Sequence, residues 1–316
     1  MDEARTGPRV VALGGGHGLA ANLGALRRVC GDLTAVVTVA DNGGSSGRLR
    51  TELGVLPPGD LRQALAALCG DDEWGRTWAT VLQHRFAGDG PLGGHAVGNL
   101  LIVALWQLLG EHVDGLDWVG RLLGADGRVL PMAAVPLDIV ARVRAGDPDR
   151  PAETVTVRGQ VEVASAGGLV ESVELLPADP PACPEAVASV GAAGWVVLGP
   201  GSWYTSVLPH LLVPGLREAL VATPARRCVT LNLAPQAGET DGFTSSRYLE
   251  VLSAHTPELR IDVVLADAGG VVDMPMLEKT VAGLGAELVI AELAAAGSGP
   301  RHDVGKLAAA YAEIMR

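Results

Sequence analysis

The sequence predicts an α/β fold, a doubly wound Rossmann-like sheet, mostly parallel, with a small β-rich inserted segment. Two observations predict the sheet. Short apolar, β-branched runs recur along the chain, and they end abruptly in glycines and small polar residues. Each ending is followed by a stretch at helical spacing, which is the pattern of parallel βαβ units. A third observation predicts the insertion: between residues 129 and 176, short β-like runs alternate with acidic and glycine turns.

Taken in order, residues 9–13 form the first strand, which meets Gly14, Gly15, Gly16, His17 and Gly18 and then an amphipathic stretch to about Arg28. Residues 34–40 form the second strand, opening into Asp41, Asn42, Gly43, Gly44, Ser45, Ser46 and Arg48. Pro57, Pro58, Gly59 and Asp60 signal a helix start. A glycine-rich loop at 88–94 precedes His95 and Asn99, which the spacing places on one face at the start of a long apolar helix ending at Leu109. After the inserted segment, 183–192 reads as helix and 195–198 as a strand. Further strands are expected at 228–233, 262–266 and 287–292. The chain of 316 residues reads as one domain, 1–316, with 129–176 inserted in it and only the first eight residues loose.

Composition narrows the function classes. A formal charge of −12 makes the polyelectrolyte term repulsive, so neither nucleic acid nor an anionic membrane surface is an expected partner. Lysine occurs only at Lys279 and Lys306, so no P-loop GK[ST] motif exists. Four scattered cysteines without a CxxC pair suit a reduced, cytoplasmic chain with inert thiols. No secretory leader is expected, and the longest apolar run, at 99–109, is too short to span a bilayer.

The strand ends carry the chemistry. Gly14 to Gly16 with His17 and Gly18 suggest a dinucleotide fingerprint, but Leu19 stands where its third glycine belongs. This argues against an NAD oxidoreductase and leaves a strand-to-helix turn suited to phosphate. Asp41 and Asp60 can hold a ligand hydroxyl or a hard cation such as Mg²⁺, and Asp60 equally reads as a helix-start acid favoured by the dipole. Arg48 offers a planar charge for phosphate. Gly199, Gly201, Ser202, Tyr204, Thr205 and Ser206 repeat the glycine-plus-hydroxyl logic after another strand, and Asn232, Gln236, Gly238, Glu239 and Thr240 do so again. These ends imply one rim lined for a single large polar ligand. No nucleophile elbow, no Ser/His/Asp order and no metal spacing of His or Cys stands out, so no catalytic residue and no metal ligand is assigned.

The segments ALGGGHGL, TAVVTVADNGGSSGRLR, PPGDLR, LGGHAVGNLL, LGPGSWYTSVLPHL, NLAPQAGET and RHDVGKLA occur in this order. Together they resemble the YvcK family, the gluconeogenesis factors, within the CofD-like superfamily, and the likeness runs nearly end to end. The resemblance implies a cytoplasmic bacterial protein that binds UDP-N-acetylglucosamine and senses it, with no required cofactor. It also implies a role in cell shape and envelope (peptidoglycan) synthesis on gluconeogenic carbon sources, exercised through envelope-synthesis regulatory proteins. By position, the glycine loops above form the nucleotide-sugar cleft, and Arg301 matches an arginine that contacts the ligand. Two departures stand out. The family's ligand-contacting tyrosine before that arginine has no counterpart at 275–285, and Asn42 replaces an acid, which should weaken a divalent-ion site. Superfamily analogy adds a homodimer. The alternative reading is the superfamily's other branch, a Mg²⁺-dependent transferase of the 2-phospho-L-lactate type using a nucleotide-activated donor.

Overall fold

A computed structural model describes residues 7–144, 153–297 and 299–316. Seven strands form a wholly parallel sheet: β1 (Arg9–Gly14), β2 (Asp32–Val37), β3 (Arg128–Pro131), β7 (Trp195–Leu198), β8 (Arg226–Thr230), β9 (Val263–Asp267) and β10 (Glu287–Ala291). Their order is β10-β9-β8-β7-β1-β2-β3. The chain therefore builds one half outward from β1, then returns to pair β7 against the other side of β1 and builds the second half away from it. Strands β7 and β9 are buried throughout, and β1 and β2 after their first residue. That continuous burial explains their unbroken apolar reading, because helices cover both faces of such a sheet.

The helices are α1 (Gly16–Leu26), α2 (Gly44–Leu53), α3 (Gly59–Ala67), α4 (Glu73–Gln83), α5 (Val97–Leu109), α6 (His112–Leu123), α7 (Gln160–Ala164), α8 (Pro184–Gly191), α9 (Pro214–Ala222), α10 (Ser245–His255), α11 (Met274–Gly283) and α12 (Val304–Ile314). None of the described helices is long and apolar enough to cross a membrane. The four cysteines are buried, and none is in a disulfide.

The β-rich segment is a three-stranded antiparallel sheet in the order β5-β4-β6, from β4 (Asp138–Arg144), β5 (Thr154–Arg158) and β6 (Leu169–Leu176). Its amino-terminal boundary differs from expectation. Residues 129–131 belong to β3, the edge of the main sheet, where Val129 pairs with Ala35 and Leu130 with Val36. A short apolar run does not reveal which sheet it joins. Part of the expected loose amino terminus, residues 1–6, lies outside the described residues; Pro8 is tied down, its carbonyl accepting the N–H of Gly31 at 3.3 Å. Helices α2, α4, α6 and α7 were not legible in the sequence. For α2 the reason is plain: Gly44, Ser45, Ser46 and Gly47 are poor helix formers, and burial of Ser45 to Gly47 holds the turn instead.

Candidate functional site

The chain leaves β1 and β7 at neighbouring carboxyl ends, where Leu13 pairs with Leu198, and the connections diverge. That divergence is the topological switch point at which open α/β sheets bind ligands. A cavity of 430 Å³ opens there, between Gly15–Gly18 on one side and Gly201, Ser202, Thr205 and Ser206 on the other. The two loops touch. A Cβ on Gly18 would stand 2.7 Å from Gly201 Cα, so only glycine fits. Asn232 fixes the second loop with both ends of its amide: its Oδ1 accepts the Gly201 N–H at 2.9 Å and its Nδ2 donates to the Gly201 carbonyl at 2.8 Å. A larger depression of 520 Å³, around Leu211, Arg217 and Glu258, lies against α9 and has no glycine loop.

Two anion-receptive backbone segments face this crevice, and they differ. Helix α1 carries no acid in its first turn and no side-chain cap; its first N–H, that of Gly16, faces the Asp60 carboxyl, and the N–H groups that follow remain open to an anion. The π-helical turn Trp203–Val207 is already served. Glu239 Oε1 accepts the N–H groups of Tyr204 at 2.6 Å and Thr205 at 3.2 Å. Its Oε2 accepts the Ser202 hydroxyl, which is also bonded to Thr205 Oγ1. Burial pushes the Glu239 carboxyl up, and these donors oppose the rise. This loop therefore offers hydroxyls to a ligand rather than an empty anion nest.

Asp41 and Asp60 come together beneath the first loop. Burial, then the charge of Asp41, pushes the Asp60 carboxyl up to about 7, against the Gly16 N–H and Arg62. Asp60 Oδ1 accepts Gln63 Nε2 at 3.3 Å, while Oδ2 is buried without a hydrogen-bond partner, as is Thr38 Oγ1. Both residues crowd Gly15, where a Cβ would meet Thr38 Cγ2 at 2.5 Å and Asp60 Oδ2 at 2.6 Å. Asp41 Oδ1 accepts the Gly43 N–H at 2.8 Å. Two carboxylates, one with a partnerless oxygen, suit Mg²⁺, which takes oxygen ligands and keeps several waters. Among the described residues no cluster of three or more His, Cys, Asp or Glu is placed to hold a metal.

Several residues expected at the ligand do not line this cavity. Ser45 Oγ pairs with His95 Nδ1 at 2.9 Å and accepts Asn99 Nδ2 at 3.0 Å, and Arg62 Nε donates to Asn99 Oδ1 at 2.8 Å. All four side chains are buried, forming a polar network beneath α2. His95 precedes α5 by two residues rather than standing on it, and burial, with Arg48, lowers its imidazole below the usual range. Arg48 donates to the carbonyls of Pro91 and Gly93, tying down the 88–94 loop. Tyr204 is buried, its hydroxyl donating to the Val170 carbonyl at 3.1 Å. Arg301 is exposed on the segment after β10, its carbonyl accepting the Ala295 N–H at 2.8 Å, and it does not line the cavity.

His17 and Gln236 are exposed and do line it, as do Asp60 and Glu239. Asn42 reaches across to α7, where its Oδ1 accepts the Val161 N–H at 3.1 Å and its Nδ2 donates to Glu162 Oε2 at 2.7 Å. Sequence reasoning missed Thr38, buried against Gly15, and the cavity-lining residues Gln160, Val161 and Ala164 of α7 with Ser165 just after it. No motif marks α7; its one local signal is Gly159, at φ +109° immediately before it.

A family profile described as 2-phospho-L-lactate transferase CofD matches residues 10–296. A relative from Mycobacterium tuberculosis strain H37Rv is 54% identical over 303 residues, 95% of this chain and 88% of that protein. The gluconeogenesis factor of Listeria monocytogenes is 38% identical over 260 residues, 82% of this chain and 77% of that one. The crystal structure of a UPF0052 family protein from Bacillus halodurans superposes with a TM-score of 0.85 at 33% identity, covering 97% of this chain and 99% of that one.

Proposed function

Because the chain belongs to the CofD-like family, among its gluconeogenesis factors, we propose that it is a cytoplasmic regulatory protein that binds UDP-N-acetylglucosamine at the β1–β7 switch point. The observation that carries this reading is the uncapped N-terminus of α1 facing Gly201 across a polar cavity. A diphosphate at those N–H groups gains backbone hydrogen bonds and the helix dipole. The hydroxyls of Ser202 and Thr205 and the amides of Gln160 and Gln236 then suit the sugar and base. Buried cysteines without a disulfide agree with a reducing compartment. In this reading the bound state is passed to regulatory proteins of envelope synthesis, no cofactor is required, and the protein pairs as a homodimer.

A second reading has a specific observation behind it. Asp41 and Asp60, with the partnerless Asp60 Oδ2, suit Mg²⁺ beside a nucleotide, as a transferase of the 2-phospho-L-lactate type requires. One experiment separates the two. Thermal unfolding is followed with UDP-N-acetylglucosamine, UDP-glucose, GDP and NAD, each with and without Mg²⁺. A ligand at about a hundred times its Kd stabilises by about 2.7 kcal/mol, a shift of a few degrees. A shift with UDP-N-acetylglucosamine alone, indifferent to Mg²⁺, supports the sensor. A shift with GDP that needs Mg²⁺ replaces it with the transferase.

A further inference from the structure

Helix α7 is the part of the small antiparallel sheet that reaches the cavity, and it crosses the crevice. The order of neighbouring strands is β2-β1-β7-β8, and the cavity opens over the middle pair. At one seam α7 meets the segment after β2, through the two Asn42 hydrogen bonds to Val161 and Glu162. At the other it meets the segment after β8, so closely that a Cβ on Gly238 would stand 2.6 Å from the Ala164 carbonyl oxygen. Little core lies behind it. Val163 alone in α7 is buried, and Val161 is 47% exposed. Gly159 at φ +109° and Gly167 at φ +65° flank the helix, in a backbone region where glycine turns freely. A short element with one buried side chain, hinge glycines on both sides and a two-bond side-chain fastening is a low-stability unit within a rigid frame.

We propose that α7 is a strap across the cleft and that Asn42 is the positioning residue that fastens it. The strap opens at the Asn42–Glu162 seam to admit a ligand and closes behind it. Only the choice of UDP-N-acetylglucosamine as probe rests on the function proposed above.

The chemistry of the seam provides a test in which charge can be reversed. Asn42→Ala removes both bonds. Asn42→Asp keeps the acceptor for the Val161 N–H but sets a second carboxylate against Glu162. Adding Glu162→Gln to Asn42→Asp restores a donor. Hydrogen exchange at 160–165 should rise about five- to tenfold in Asn42→Ala and Asn42→Asp, with β1 unchanged, and return to within about twofold in the double variant. Access to the cleft is read without any ligand by placing Ser202→Cys in each background and following its alkylation, since the native thiols are buried. Alkylation and dissociation of UDP-N-acetylglucosamine should accelerate in the same order as exchange. Unchanged exchange at 160–165 in Asn42→Asp, or faster exchange with unchanged alkylation, overturns the strap. Failure of the wild type to bind UDP-N-acetylglucosamine overturns the sensor reading instead, and leaves exchange and alkylation to decide on α7.

Discussion

Glu239 accepts the backbone N–H of Tyr204 at 2.6 Å and so places a carboxylate of the chain itself where a phosphate would be expected after β7. The same carboxylate serves Thr205 and Ser202, and it is buried. Glu239→Ala therefore strands two N–H groups and a hydroxyl away from solvent. The expected loss is about 2–3 kcal/mol in urea unfolding. Glu239→Gln keeps a carbonyl acceptor for the N–H groups and should cost about half as much. Equal stability of Glu239→Ala and wild type would show that an ion or water replaces the carboxylate, and would restore this loop as a phosphate nest.

Asp60 and His210 act in opposite directions on the pH dependence of stability. The Asp60 carboxyl is raised from 3.8 to about 7, so its contribution is full below about pH 4 and lost as pH rises through about 7. His210 is wholly buried, its Nε2 3.0 Å from the Val36 carbonyl oxygen, and burial lowers it from 6.5 to about 4. Its contribution is present above pH 6.5 and lost as pH falls through about 4. Between those values the two slopes offset each other. Asp60→Asn should remove the opposing slope: stability falls by at least about 3 kcal/mol as pH drops from 6.5 to 4, measured in chelator, with His95, His112 and His302, also lowered by burial, acting in the same direction as His210. A flat profile for this variant would mean that the His210 imidazole protonates without unfolding the chain.

What the sequence made legible follows from which residues solve their problem locally. Strands β1, β2 and β7 were readable because full burial demands unbroken apolar runs, and the glycines after them because the loops meet backbone to backbone. Asp41 and Asp60 were readable as a pair by their positions after a strand and at a helix start. The identity of each side chain's partner was not legible. Ser45, His95 and Asn99 look like ligand contacts one by one, yet together with Arg62 they form one hydrogen-bonded network across up to 54 residues of sequence. Tyr204 looks like an exposed hydroxyl until Val170 in the small sheet accepts its proton. Asn42 and α7 lie about 120 residues apart, and no local pattern records their meeting.

Two glycines in neighbouring loops should respond differently to the same methyl group. Gly18 lacks room, since its Cβ would press on the Pro200 carbonyl and Gly201 Cα. Gly44 has open space but holds φ +46°. Gly18→Ala is expected to cost about 1–3 kcal/mol by overpacking and to narrow the cleft, lowering ligand affinity along with stability. Gly44→Ala is expected to cost about 1 kcal/mol of backbone strain, with affinity unchanged. Calorimetric binding and urea unfolding on both variants separate the two effects. Equal affinity losses would place Gly44 at the ligand as well.

Arg48 provides a direct contest between a sequence expectation and a structural one. A guanidinium beside a glycine-serine turn suits phosphate, but here it donates to Gly93 O at 2.7 Å and to Pro91 O, both in the 88–94 loop. That loop is otherwise held by the Gly94 N–H on Phe86 O at 2.9 Å and by Arg85 on Gly94 O at 2.8 Å. If the loop is the target, Arg48→Ala loosens it: hydrogen exchange at Gly93 and Gly94 rises several-fold. Affinity for UDP-N-acetylglucosamine then changes by less than about threefold, under 1 kcal/mol. If the diphosphate is the target, a charge-assisted pair is lost, affinity falls tenfold or more, and its salt dependence weakens. Arg301→Ala is the matched control, since Arg301 is exposed outside the cavity and its removal should leave the apo Tm unchanged. An affinity loss in Arg301→Ala but not in Arg48→Ala would assign the phosphate-facing guanidinium to the segment after β10, and would leave Arg48 as the tether of its loop.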